Sequence, residues 1–154
     1  MGDCRDKALD LVGRRPHFRQ ELLQKLLARG YPSLEVEAAL EDLERLGLLD
    51  DLEHARSMAA GSMTRKGLGP RRMLHELLRR GVGEDTAETV VAEVFADPEE
   101  ELRRARRLVL RAGSGVRASR DRLARQLDRK GYSTAVILRV LESIEQDSGC
   151  GSDR

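Results

Sequence analysis

Aromatic residues are scarce in this chain of 154 residues. Phe18, Phe95, Tyr31 and Tyr132 are the whole set, and tryptophan is absent. So few rings exclude a large aromatic core, and burial has to rest on Leu, Val, Met and Ala. No apolar run approaches the ~20 residues of a membrane span. The opening "MGDCRDKALDLV" has no apolar signal core. Gly2 sits where a myristoylated glycine would, but Asp6 occupies the Ser/Thr position of that signal. The two cysteines, Cys4 and Cys150, lie near opposite ends. A disulfide between them requires the termini to meet, which nothing in the sequence demands, so they read as free thiols in a reducing cytoplasm. The expectation is a soluble cytoplasmic chain with no membrane partner.

Catalytic signatures are missing as well. His17, His54 and His75 have no metal-ligand spacing with one another or with either cysteine. Asp50 and Asp51 with Glu53 offer paired carboxylates, but capping of a helix explains them more simply. No Gly-x-Ser-x-Gly stretch is present. "RKGLGPRR" has glycines beside basic residues without the Gly-Lys-Ser/Thr end of a nucleotide phosphate loop. The chain is therefore not expected to be an enzyme, and no metal or cofactor is expected.

Charge is abundant. Charged residues make up 36% of the chain, in a background rich in Leu, Arg, Glu and Ala that favours helices. An internal repeat organises them. "KLLARGY", "ELLRRGV" and "QLDRKGY" end on Gly30, Gly81 and Gly131 plus one residue, about 50 residues apart. Eight residues before each glycine stand Leu22, Met73 and Leu123, and four before it Leu26, Leu77 and Leu127. Six after it come Val36, Ala87 and Ile137, ten after it Leu40, Val91 and Leu141, and thirteen after it Leu43, Val94 and Ile144. Steps of three and four keep these residues on one helical face.

Each copy thus reads as a helix, a glycine stop and a second amphipathic helix. The glycine suits a left-handed C′ position, and the basic residues before it complement the helix dipole. A further helix precedes each copy. Asp50 is expected to cap the second of these with Glu53 at N3, and Asp97 the third with Pro98 at N1. The fold expected is all-α: three tandem three-helix repeats in a curved, elongated, solenoid-like array. The boundaries are 1–46, 47–96 and 97–145, with a disordered polar tail at 146–154.

Net charge is only +1, yet the charges are segregated. Arg65, Lys66, Arg71, Arg72, Arg79 and Arg80 face a single acid, Glu76, within their stretch. The stretch from Arg103 to Lys130 is also strongly basic, with Arg103, Arg104, Arg107, Arg111, Arg120 and Arg125 among its cations. Between them, from Glu84 to Glu101, there are acids and no base. Stacked repeats would align the basic helices into a stripe suited to phosphates or an acidic protein surface. In "TRKGLGPRRM", Pro70 at N1 opens a helix whose N–H groups could also receive an anion. Arg65, Lys66, Arg71 and Arg72 form the foremost contact cluster.

With these residues in view, the chain resembles the bacterial RecX family. "LGLLDDLEHAR" is similar to that family's Gly-hydrophobic-hydrophobic-Asp-Asp segment, and "RKGLGPRRMLHELLRRGV" to its most recognisable stretch. "ALDLVGRRPHFRQELLQKLLARGY" and "RDRLARQLDRKGYSTAVILRVL" fit the first and third repeats. Two positions depart from the pattern. His54 stands where the family usually has an aromatic, and Phe18 where it usually has a capping Ser or Thr.

The resemblance implies three tandem three-helix units and a non-enzymatic regulator of RecA. Such a regulator lies in the groove of the RecA–single-stranded-DNA filament. It curbs strand exchange, ATP hydrolysis and repressor co-cleavage, and so modulates DNA repair and the SOS response. The partners implied are the RecA filament and, directly, single- or double-stranded DNA. The chain is expected to be a monomer.

Two other readings stand beside it. Each helix–glycine–helix could mimic a duplex-binding helix-turn-helix transcription regulator, but the helices that would read bases, "SLEVEAALEDLE" and "EDTAETVVAEVF", are acidic. A helical scaffold that binds only proteins would show little salt-dependent DNA affinity.

Overall fold

Nine helices, and no strand, make up the described residues, 2–111 and 119–149, of the computed structural model. They are α1 (Cys4–Arg14), α2 (Arg19–Ala28), α3 (Ser33–Arg45), α4 (Asp51–Lys66), α5 (Pro70–Arg79), α6 (Glu84–Val94), α7 (Pro98–Arg111), α8 (Arg120–Lys130) and α9 (Thr134–Gly149). The all-α class and the tandem groups of three are as the repeat predicts.

The three repeated glycines end α2, α5 and α8 in the same way. Their φ values are +86°, +89° and +91°. In each, the residue after the glycine donates its N–H to the carbonyl of the Leu four before it: Tyr31 to Leu26, Val82 to Leu77 and Tyr132 to Leu127. The glycine's own N–H reaches one turn back, to Leu27, Leu78 and Asp128. This bond pair satisfies carbonyls that a helix end otherwise leaves unpaired.

The expected N-caps are also present. Asp50 Oδ1 accepts from the Glu53 N–H at 3.1 Å, and Asp97 Oδ1 from the Glu99 N–H at 3.0 Å.

By compactness the chain divides into two units. One comprises residues 1–58 and 76–90, the other 59–75 and 91–154, so α4 and α5 each contribute to both. In the first, Cys4, Ala8 and Leu11 of α1 cluster with Leu22 and Leu26 of α2 and with Val36, Ala39, Leu40 and Leu43 of α3. In the second, Ala105 and Val109 of α7 cluster with Leu123 and Leu127 of α8, Tyr132, and Ile137, Val140 and Leu141 of α9. Each fully buried Leu or Val contributes about 1.5–3 kcal/mol.

The repeat register differs from the sequence reading at one place. Val91 and Val94 are only half-buried, and Val90 is fully buried in their stead. Its equivalents Ala39 and Val140 are buried too, so the position nine after the glycine belongs to the core of all three copies.

Residues 146–149, expected in the tail, belong to α9. Helix α9 runs to Gly149, with Asp147 ion-paired to Arg106 and the Ser148 hydroxyl donating to the Ile144 carbonyl. Those tertiary and local bonds extend the helix through a polar stretch that has little apolar reason to be ordered. Residues 150–154, including Cys150, lie outside the described residues. Cys4 is buried at the start of α1.

Candidate functional site

The loop between α4 and α5 is the "KGLGP" core of the middle motif, and it docks on the turn between α8 and α9. The Gly69 N–H donates to the Lys130 carbonyl at 2.7 Å, and the Arg71 N–H to the Gly131 carbonyl at 3.1 Å. Lys130 Nζ donates to the Lys66 carbonyl at 2.8 Å, and the Tyr132 hydroxyl to the Gly67 carbonyl at 3.1 Å. Tyr132 is fully buried, and burial pushes its hydroxyl up to about 12, so it remains a donor.

Backbone meets backbone here. A Cβ on Gly69 would lie 2.6 Å from the Gly131 carbonyl carbon, and one on Gly131 would lie 2.3 Å from the Arg72 nitrogen. Only glycines permit that approach.

This docking corrects one expectation. The sequence suggests that the first N–H groups of α5 could also receive an anion, but the Arg71 N–H is already taken by the Gly131 carbonyl. Arg71 itself is committed in the same direction. Its Nη2 donates to the Tyr132 carbonyl at 2.7 Å and to Asp128 Oδ1 at 2.9 Å.

A groove of about 550 Å³ lies beside the docked loop. Arg65 and Lys66 come from the end of α4, Arg104, Arg107 and Arg111 from α7, and Lys130 from the end of α8, with Thr64 and Leu108 between them. The α7 arginines share one face because their spacing is three, then four. Glu100 serves Arg103, Arg104 and Arg107 at 2.8, 3.3 and 3.1 Å. Hydrogen bonding from Arg103, aided by the charges of Arg104 and Arg107, holds its carboxyl below the usual range. With Asp97 also within 3.8 Å of Arg103, two carboxylates serve three guanidiniums, which leaves positive charge in excess. Among the described residues, Arg65 and Arg111 have no carboxylate partner. Such a concave cluster focuses positive potential and fits a run of phosphates or a carboxylate-rich surface.

The other basic residues lie elsewhere. Arg79 and Arg80 are exposed in the first compact unit. Arg103 lines a shallow depression on α7 with Glu100, Arg106 and Leu110. Arg120 is ion-paired with Glu145, and Arg125 lines a hollow on α8 with Ser119, Arg122 and Arg129. The groove therefore draws on the first helices of the second and third repeats and on the end of α8, and it gathers only part of the basic residues expected to form the stripe. Lys130, Thr64 and Leu108 were missed. The face shared by Arg104, Arg107 and Arg111 was legible in their spacing, whereas Lys130 joins it only through the docked turn.

Two contacts within the first unit account for the sequence departures. Phe18 is buried, and its ring lies against His54 with centroids 4.2 Å apart and planes tilted by 34°. The two unusual residues are thus partners in one contact. Phe18 offers no cap to α2, and Asp51 Oδ1 instead accepts the Arg19 N–H at 2.8 Å.

Similarity to known proteins agrees with this architecture. Residues 4–43 match the first three-helix domain of RecX, and residues 50–91 match the second. The regulatory protein RecX of Halorhodospira halophila (strain DSM 244 / SL1) is 37% identical over 152 residues, covering 96% of this chain and 91% of that protein. RecX of Vibrio vulnificus (strain CMCP6) is 33% identical over 137 residues, covering 86% and 87%. The crystal structure of RecX from Lactobacillus salivarius superposes with a TM-score of 0.84 at 18% identity, covering 93% of this chain and 95% of that one, a likeness of fold. Two domain matches and full-length relatives above 30% identity place the chain in the RecX family of regulatory proteins.

Proposed function

We propose that this chain regulates RecA negatively by binding the RecA filament on single-stranded DNA, acting by occupancy and not by catalysis. Bound there, it slows strand exchange, ATP hydrolysis and repressor co-cleavage, and so tempers recombination, DNA repair and the SOS response in the cytoplasm. The observation that carries the reading is the convergence of six cations from three helices on one groove, in a chain of the RecX family. Arg65, Lys66, Arg104, Arg107, Arg111 and Lys130 face the phosphates of the filament's strand or an acidic patch on RecA. Inhibition follows from differential affinity: a ligand that prefers one filament state holds the filament in it.

The test is ATP turnover by RecA on single-stranded DNA with substoichiometric added protein, together with co-pelleting. Slowed turnover and recovery with filaments are expected. Unchanged turnover with no co-pelleting defeats the proposal.

A further inference from the structure

Arg71 is the basic residue of the middle motif that a sequence reader would first place against phosphate. Its geometry gives it a different task. Its Nη2 donates to two acceptors, Asp128 Oδ1 in the last turn of α8 at 2.9 Å and the Tyr132 carbonyl on the α8–α9 turn at 2.7 Å. Around it the same turn receives the Gly69 and Arg71 N–H groups, while Lys130 and Tyr132 reach back to the Lys66 and Gly67 carbonyls. These bonds join the segment carrying Arg65 and Lys66 to the segment carrying Lys130, which form two walls of the groove. An exposed ion pair alone contributes little. Here the same guanidinium nitrogen is also bonded to the backbone carbonyl of the fully buried Tyr132, at a place where the backbones leave no space for a Cβ.

We propose that Arg71 and Asp128 are positioning residues that clasp the two walls and set the spacing of the groove cations, without touching the ligand. The inference rests on the phosphate-binding reading of the groove.

Asp128 makes the idea decidable, because its removal has opposite consequences. If Arg71 touches phosphate directly, losing the neighbouring carboxylate frees Arg71 and removes a repulsive charge, so binding tightens. If the pair is a clasp, losing either partner loosens the wall and binding weakens.

The experiment is binding of the full chain to a fluorescent oligo-deoxythymidine across ionic strengths, with Arg71→Ala and Asp128→Ala. Both variants are expected to weaken binding about two- to fivefold, the range that corresponds to losing an ion pair. Their salt slopes should stay at the value of the unchanged chain. A direct phosphate contact would instead lower the slope for Arg71→Ala by about 0.7. Where circular dichroism shows lost helicity in Asp128→Ala, Asp128→Leu, near-isosteric and without an acceptor, is read in its place. Equal or tighter binding by the Asp128 variant, a lowered slope for Arg71→Ala, or no effect of Arg71→Ala overturns the clasp. Absence of oligonucleotide binding by the unchanged chain overturns the groove reading and the clasp together, so the two failures are distinguishable.

Discussion

Gly131 and Arg72 touch through their backbones: a Cβ on Gly131 would lie 2.3 Å from the Arg72 nitrogen. The other two repeat glycines share its left-handed φ but not its neighbourhood. A Cβ on Gly81 would lie 3.1 Å from Gln20 Cβ, and one on Gly30 would meet nothing within 4 Å. The three glycines therefore separate strain from packing.

Alanine at these positions should destabilise in the order Gly30, Gly81, Gly131. Gly30→Ala should lose about 1–2 kcal/mol, the cost of a left-handed L-residue alone. Gly131→Ala should lose clearly more, because the α5 backbone has to move. Urea unfolding monitored by circular dichroism measures the order, and equal losses at all three would mean that the docking contributes nothing.

The groove charges should act additively on nucleic-acid affinity. Arg65→Ala with Arg111→Ala removes two cations that have no carboxylate partner among the described residues. The salt slope for single-stranded DNA should fall by about 0.7 per residue, with little change in unfolding free energy. A slope unchanged in the double variant would place the phosphates elsewhere.

Stability should fall on acidification in two stages. The buried His17 has Nδ1 2.8 Å from the Arg15 carbonyl and Nε2 3.1 Å from Lys25 Nζ. That arrangement requires a neutral ring: Nδ1–H donates and Nε2 accepts. Burial, with the charges of Arg15 and Lys25, lowers its pKa. The unfolded chain then binds the His17 proton more readily than the folded one, so stability drops as pH falls through the ordinary histidine range. His17→Gln should reduce that first stage and leave the part owed to His54, whose pKa burial also lowers.

The second stage belongs to Glu21. Burial would raise its carboxyl, but Arg15 and Lys25 overcome this and bring it to about 2. Its contribution is complete above the usual carboxylate range and is lost as pH falls from about 4.5 towards 2. Unfolding free energy measured from pH 8 to pH 3, with and without Glu21→Gln, checks the sign.

Removing the borrowed cap of α2 should register although Asp51 is remote in sequence. Asp51→Ala leaves the Arg19 N–H unpaired and should lose about 1 kcal/mol, comparable to a local N-cap. Denaturant unfolding measures this loss, and a change near zero would show that solvent replaces the cap.

Much of this molecule is legible in its residues. The steps of three and four around Gly30, Gly81 and Gly131 announce the helices, since helical period is a local property of side-chain polarity. Asp50 and Asp97 cap where their spacing says they should, because a cap bonds an N–H only two or three residues away. Val90 escaped because Val91 beside it is equally apolar, and only packing decides which of two adjacent valines turns inward. Arg71 suggests a contact because a sequence displays its charge and not the carbonyl of Tyr132 that receives it.

The amino-acid order alone determined three tandem groups of three helices, their glycine stops and the segregation of charge. All of these arise from interactions within a turn or two of helix. Tertiary structure decided which cations share a groove, that the α5 N-terminus is filled by the Gly131 carbonyl, and that Phe18 and His54 are partners. Those outcomes join residues dozens of positions apart. The groove and the filled α5 N-terminus depend on the close approach of backbones that Gly69 and Gly131 make possible, and no local pattern encodes that proximity.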